Sequence, residues 1–175
     1  MSQSMDPDKC TVTHYPDRVL ANKAQAVEGI NDEIRRLVEK MTDVMIARKG
    51  VGLAAPQVGV PLRLFIISVD GTRQNVRVYI NPTVTTEGNL QANEEGCLSI
   101  PQVYTKIKRY TQATVTATDL DGRQFTEQAA GLYARALQHE FDHIEGVTIA
   151  DRMGAAARIA HRRQFKKLLE NHQKI

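Results

Sequence analysis

Gln138-His139-Glu140-Phe141-Asp142-His143 lies in a stretch where Leu132, Ala136, Leu137, Phe141 and Ile144 recur at helical spacing. The spacing predicts a helix from about Ala129 to Glu145, closed by Gly146. Residues four apart on a helix are rotated by about 400° and lie nearly one above the other. His139 and His143 can then reach one metal ion, with Glu140 one step round the helix, beside the metal rather than on it. A carboxylate there is placed to take a proton from a metal-bound water and pass it to a leaving amine. Short matches to H-E-x-x-H also occur by chance on solvated helix faces, so the pattern needs support from the rest of the chain.

Upstream, Ile30, Ile34, Leu37, Val38, Met41, Val44 and Met45 mark an amphipathic helix, with Asn31 as N-cap and Gly50 as its stop. Leu62–Val69 reads as a buried strand followed by an Asp70-Gly71 turn. Val76–Ile80 alternates and is closed by Asn81-Pro82. Val103–Lys108 and Ala113–Thr118 are further strands, and Asp121-Gly122 is a hairpin signal before a return strand, Arg123–Glu127. A last helix covers about 155–172. The order favours an α+β fold: antiparallel β-sheets packed around a central metal-binding helix, with N-terminal and C-terminal helices.

A catalytic tetrahedral site needs a third protein ligand and an open position. Cys97, Cys10, His14, His161, His172 and downstream carboxylates are the candidates. Cys97, in Glu95-Gly96-Cys97-Leu98-Ser99, would offer a thiolate from extended backbone, although a lone cysteine is more often a small buried apolar residue. Gly50-Val51-Gly52-Leu53-Ala54-Ala55-Pro56-Gln57 combines small residues that allow close backbone approach of a ligand. It lacks the Gly-Lys-Ser/Thr of a phosphate loop.

In this order and at these separations, GVGLAAPQ, EGCLS and QHEFDH resemble the three signature motifs of peptide deformylases. His14-Tyr15-Pro16-Asp17, Asn81-Pro82 and Ser99-Ile100-Pro101 extend the similarity over about residues 12–153, in the compact bacterial form. The resemblance implies Cys97, His139 and His143 as metal ligands, with water in the fourth position and Glu140 as general acid/base. It implies that Gln57 and the Leu98 amide stabilise the developing oxyanion, while metal-bound water attacks the formyl carbon of N-formylmethionyl peptides and formate is released. The implied metal is one divalent ion, natively Fe2+, with Zn2+, Ni2+ or Co2+ able to occupy the site. The backbone at Gly52 would pair with the substrate, beside Gly50, Val51 and Gly96. Leu132, Ala136, Asn93, Arg135 and Tyr104 would complete the substrate pocket.

Three of these depart from the family's pattern. Asn93 and Arg135 stand where the methionine pocket is usually aliphatic, and Tyr104 where an arginine often contacts substrate backbone. Arg135 either lays its methylene stem along the pocket or shifts the preferred first side chain toward a polar or acidic one. A zinc peptidase of the H-E-x-x-H class would instead recruit Glu145 or His161 and leave EGCLS and GVGLAAPQ without a role. A non-catalytic binder would not need Cys97, Gln57, Glu140 and both histidines together.

At 175 residues the chain corresponds to one domain, 1–175, with an apolar fraction of 42% and a net charge of +3. Two cysteines fit a reducing compartment rather than a disulfide scaffold. Met1–Cys10 has neither a signal-peptide core nor the arginines of a transit peptide, and no run approaches the ~18 apolar residues of a membrane span. The expectation is a cytoplasmic protein without a membrane partner. Asp151–Ile175 holds seven Lys/Arg against Asp151 and Glu170. Such a run is usually a solvated helix face, here docked by Ile159, Phe165 and Leu169. The functional alternative is contact with the ribosome.

Overall fold

The computed structural model describes residues 10–173. Residues 1–9 of the Met1–Cys10 segment and Lys174 of the C-terminal basic run lie outside them. In chain order the elements are α1 (Asp32–Ala47), β1 (Gly52–Ala54), β2 (Leu64–Ile67), β3 (Arg77–Cys97), β4 (Ile100–Thr118), β5 (Gln124–Ala130), α2 (Gly131–Ile144), α3 (Ile149–Arg152), α4 (Ala155–Ala160) and α5 (Arg162–His172). The strands form one antiparallel sheet in sequence order.

Alternation along β2 explains how its Leu-Phe-Ile-Ile run is buried throughout. Leu64 and Ile66 join Leu37, Met41 and Met45 of α1 on one side. Phe65 and Ile67 join Tyr79, Ala134, Leu137 and Ile144 on the other, against α2. A strand covered on both faces needs apolar residues at successive positions. A third cluster, with Ile100, Val103 and Ile107 of β4, receives Ile149, Met153 and Phe165 from the C-terminal helices.

α1 begins as expected, with the Asn31 side chain accepting from the Ile34 N–H at 3.0 Å. Its end comes earlier than Gly50: Arg48 is the C-cap and Lys49 turns the chain with φ 55°. Asn81-Pro82 does not close a strand. Asn81 (φ 50°) lies where the β3–β4 register shifts, and its amide exchanges hydrogen bonds of 2.8 and 2.9 Å with the Val27 backbone. A register irregularity tolerates the proline that a regular ladder would reject. β3 and β4 therefore run on as a long ribbon ending in the two-residue turn Leu98-Ser99, with Cys97 opposite Ile100. The single C-terminal helix expected over 155–172 is broken at His161. The break changes the buried face: Phe165 docks, helped by Ala157 and Leu168, while Ile159 and Leu169 stay exposed.

Candidate metal centre

α2 crosses the inner face of the sheet, so its polar residues are buried with its apolar ones. Gln138, Glu140, Asp142 and His143 are all buried. Buried polar groups need partners. Gln138 satisfies itself on the Tyr110 backbone, accepting from its N–H at 3.0 Å and donating to its carbonyl at 2.9 Å. Of the other three, Asp142 meets Arg109 of β4, Glu140 lies against Gly52 of β1, and His143 faces the end of the β3–β4 ribbon.

There, Cys97 Sγ lies 3.3 Å from His143 Nε2, which lies 3.3 Å from His139 Nε2. The three ligand atoms fall within 4.8 Å of one another, and they are the only such His/Cys/Asp/Glu group among the described residues. Tetrahedral coordination with metal–nitrogen bonds of about 2.0–2.1 Å and metal–sulfur bonds of about 2.3 Å sets ligand atoms roughly 3.3–3.6 Å apart. The Cys97–His143 and His143–His139 spacings fit that geometry. Burial opposes charge on His139, but the Cys97 sulfur and the Glu95 carboxylate raise its pKa well above the ordinary value. Burial, His139 and Arg109 push that of His143 well below. His139 Nδ1 pairs with Glu95 Oε2 at 3.0 Å, which turns Nε2 toward the other two ligand atoms.

The other third-ligand candidates lie elsewhere. Cys10 packs against the α1 cluster. His161 pairs with the Tyr104 carbonyl at 3.1 Å, and His172 is exposed at the end of α5. Glu145 is tied to Arg63 and Lys23 at 2.6 and 2.7 Å. The peptidase ligand set is therefore not assembled. His14 lines the neighbouring cleft but is not part of the cluster.

That cleft has a volume of about 500 Å³. Gly50, Val51, Gly52, Gly96, Tyr104, Leu132, Arg135 and Ala136 line it. Asn93 does not: it sits one pleat beyond Glu95 on β3, about 7 Å farther from the ligands. Two glycines leave room for neighbouring side chains. A Cβ on Gly52 would come within 2.8 Å of Glu140 Cδ and Cγ, and one on Gly96 within 2.7 Å of the Tyr104 ring. Arg135 sends its head to the Glu94 carbonyl at 3.3 Å.

β1 is the sheet's edge. Gly52 faces Ile67, and the Ser68 N–H donates to the Val51 carbonyl at 2.8 Å. That pattern makes Gly52 a non-hydrogen-bonded position toward β2, so its own N–H and C=O point to the free edge. Gln57 is buried; its oxygen accepts from the Ala54 N–H at 2.8 Å, which aims its NH2 at Cys97 Sγ (3.5 Å) and Ser99 Oγ (3.4 Å). Glu140 is buried with one carboxylate oxygen unpartnered, and desolvation pushes its carboxyl up to about 7.

Behind the ligands is an ion network that the motif reading missed. Arg109 is buried and donates to both oxygens of Glu95 at 3.0 Å and to Asp142 at 2.5 Å. Arg152 of α3 grips Asp142 from the other side, at 2.9 and 2.5 Å. Against the opposing effect of burial, His139 and Arg109 hold Glu95 down to about 2. The signal was present in β4: Arg109 continues the inward phase of Val103, Thr105 and Ile107, and a charge in that phase needs a buried partner.

The polypeptide deformylase family model matches residues 9–158. The chain is 40% identical to the peptide deformylase of Thermodesulfovibrio yellowstonii over 89% of its own length and 95% of the relative's. It is 43% identical to peptide deformylase 1 of Clostridium perfringens, over 77% and 91%. The crystal structure of a peptide deformylase from Legionella pneumophila superposes with a TM-score of 0.87 at 35% identity, covering 95% and 98% of the two chains. A three-ligand cluster at tetrahedral spacing, a glycine edge strand above it and a family match spanning both together show that this chain belongs to the polypeptide deformylase family.

Proposed function

We propose that this protein removes the formyl group from the N-terminal methionine of nascent polypeptides, with Cys97, His139 and His143 holding the metal and Glu140 moving the proton. The observation that carries this reading is the convergence of the three ligand atoms beside the buried carboxyl of Glu140. Cys97, His139 and His143 would hold a divalent metal, which would supply Lewis acidity and make a nearby water easier to deprotonate. With a carboxyl pushed up to about 7, Glu140 is matched to taking a proton and returning it to the departing α-amine near neutral pH. The Gln57 amide and the Leu98 N–H, which the two-residue turn leaves outside the ladder, stabilise the oxygen that gains charge.

Gly52 receives the first residue's backbone at the free edge. Leu132, Ala136 and the methylene stem of Arg135 receive its methionine side chain, while the guanidinium stays with the Glu94 carbonyl. Ferrous iron is the native metal in this reading; the same donors accept zinc, nickel or cobalt. No helix among the described residues is long and apolar enough to cross a membrane. We place the protein in the cytoplasm as one domain, where Arg162, Arg163, Lys166 and Lys167, exposed on α5, are available to the ribosome.

Anaerobic purification with metal analysis and a formate-release assay on formyl-Met-Ala-Ser tests the reading. One metal per chain and rapid formate release are expected, with both lost in Cys97→Ser. Bound metal without turnover of any formyl peptide would instead make this a binding protein.

A further inference from the structure

The cleft has a direction. At its inner end Gly52 abuts Glu140, and beyond it Leu53, Ala54 and Ala55 are fully buried. At its outer end Gly50 faces Leu98, whose Cδ1 would lie 3.1 Å from a Cβ added there. A peptide whose formyl end reaches Cys97 and Gln57 must therefore leave past Gly50 and run antiparallel to β1. With its first residue paired to Gly52, its second lies opposite Val51 and its third opposite Gly50. The chain turns away at Lys49, so the next residues leave the register and pass beside Lys49 and Arg48, which line that end of the cleft.

Arg48 and Lys49 both line the cleft and are both exposed. Neither has a carboxylate within ion-pair distance among the described residues. Asp43, the last acid of α1, is taken by Arg73. The charge of Arg48 already acts across the cleft, where it adds to burial in lowering the pKa of His14 on its wall. The place of both basic residues just after α1 complements the negative end of that helix. That accounts for basic residues at a helix end; it does not require them to line the cleft.

We infer that Arg48 and Lys49 form a recognition site for acidic side chains at about the fourth and fifth positions of the formylated chain. The inference rests on the deformylase reading. Exposed charge pairs each change affinity by roughly two- to fivefold and are screened by salt. The site therefore grades substrates rather than selecting one. Nascent chains that begin acidic are released from their formyl group first when substrate is below KM.

The test compares formyl-Met-Ala-Ser-Asp-Asp with formyl-Met-Ala-Ser-Lys-Lys on the metal-loaded enzyme. The acidic peptide is expected to have about fivefold higher kcat/KM, carried by KM, at about 20 mM salt, and the ratio should fall toward one at about 300 mM. Arg48→Glu/Lys49→Glu should invert the order. The deformylated products should bind in the same order by calorimetry. Equal KM values in the native enzyme, or a preference that survives in the double variant, would overturn the assignment. Products that bind in the expected order to an enzyme releasing no formate would support the acidic site and overturn the deformylase reading instead.

Discussion

α1 and α2 have 16 and 14 residues and pack against opposite faces of β2, yet α1 buries almost only apolar side chains while half of those α2 buries are polar. α1 buries Ile34, Leu37, Val38, Met41 and Met45, and its one buried polar residue, Thr42, donates to its own helix at the Val38 carbonyl. α2 buries Gln138, Glu140, Asp142 and His143. One helix gains stability from apolar area alone. The other brings charges inside, and its stability depends on Arg109 and Arg152 meeting them. A sheet can thus divide labour between its two faces, with the dry side supporting a wet one.

The contrast is broken most sharply at Glu140. Glu140→Gln keeps the side chain's shape but cannot take a proton. We expect kcat to fall about a thousandfold with metal content unchanged, measured by formate release and metal analysis. Retained activity would remove Glu140 from the proposed proton transfer. Arg109→Ala removes the buried cation that Glu95 and Asp142 share, leaving Glu95 with His139 and Asp142 with Arg152 alone. It should cost about 3–5 kcal/mol in denaturant unfolding and weaken metal binding about 10–100-fold through His139. If stability and metal affinity were both native-like, the network would be dispensable.

On the dry side, Leu37→Ala removes a fully buried side chain. A loss of about 2–4 kcal/mol is expected, with kcat/KM of the folded protein near native. An activity loss larger than the unfolded fraction explains would show that the two faces are coupled. The smallest effect is expected from a change of pH. Glu95 is held near 2 in the fold against an ordinary 4.5. Its contribution is therefore complete above about 4.5 and lost as pH falls toward 2. Acid titration of the native protein should show this loss, and Glu95→Gln should flatten the curve in that window.

The same division explains what was legible in the sequence. α1 announces itself by period and cap because apolar packing leaves a periodic trace. The metal ligands are legible because two lie on one helix turn and the third sits in a compact motif. The ion network is tertiary: Arg109, Asp142 and Arg152 come from β4, α2 and α3, and only the phase of Arg109 in its strand betrays it. The long arm of β3 was invisible for a different reason. From Thr85 to Glu94 it is almost wholly exposed, so burial wrote no alternation into it. Ile159 and Leu169 mislead because the break at His161 rotates the docking face between two short helices.

β1 offers a free edge only three residues long, and past Gly52 the chain is buried. A guest strand has a way in but no way through. The centre behind it is shut to the middle of any polypeptide and open only to an end. A water-activating metal surrounded by amide bonds is a hazard to every protein near it. Here a dead end, rather than gentle chemistry, keeps those bonds out of reach.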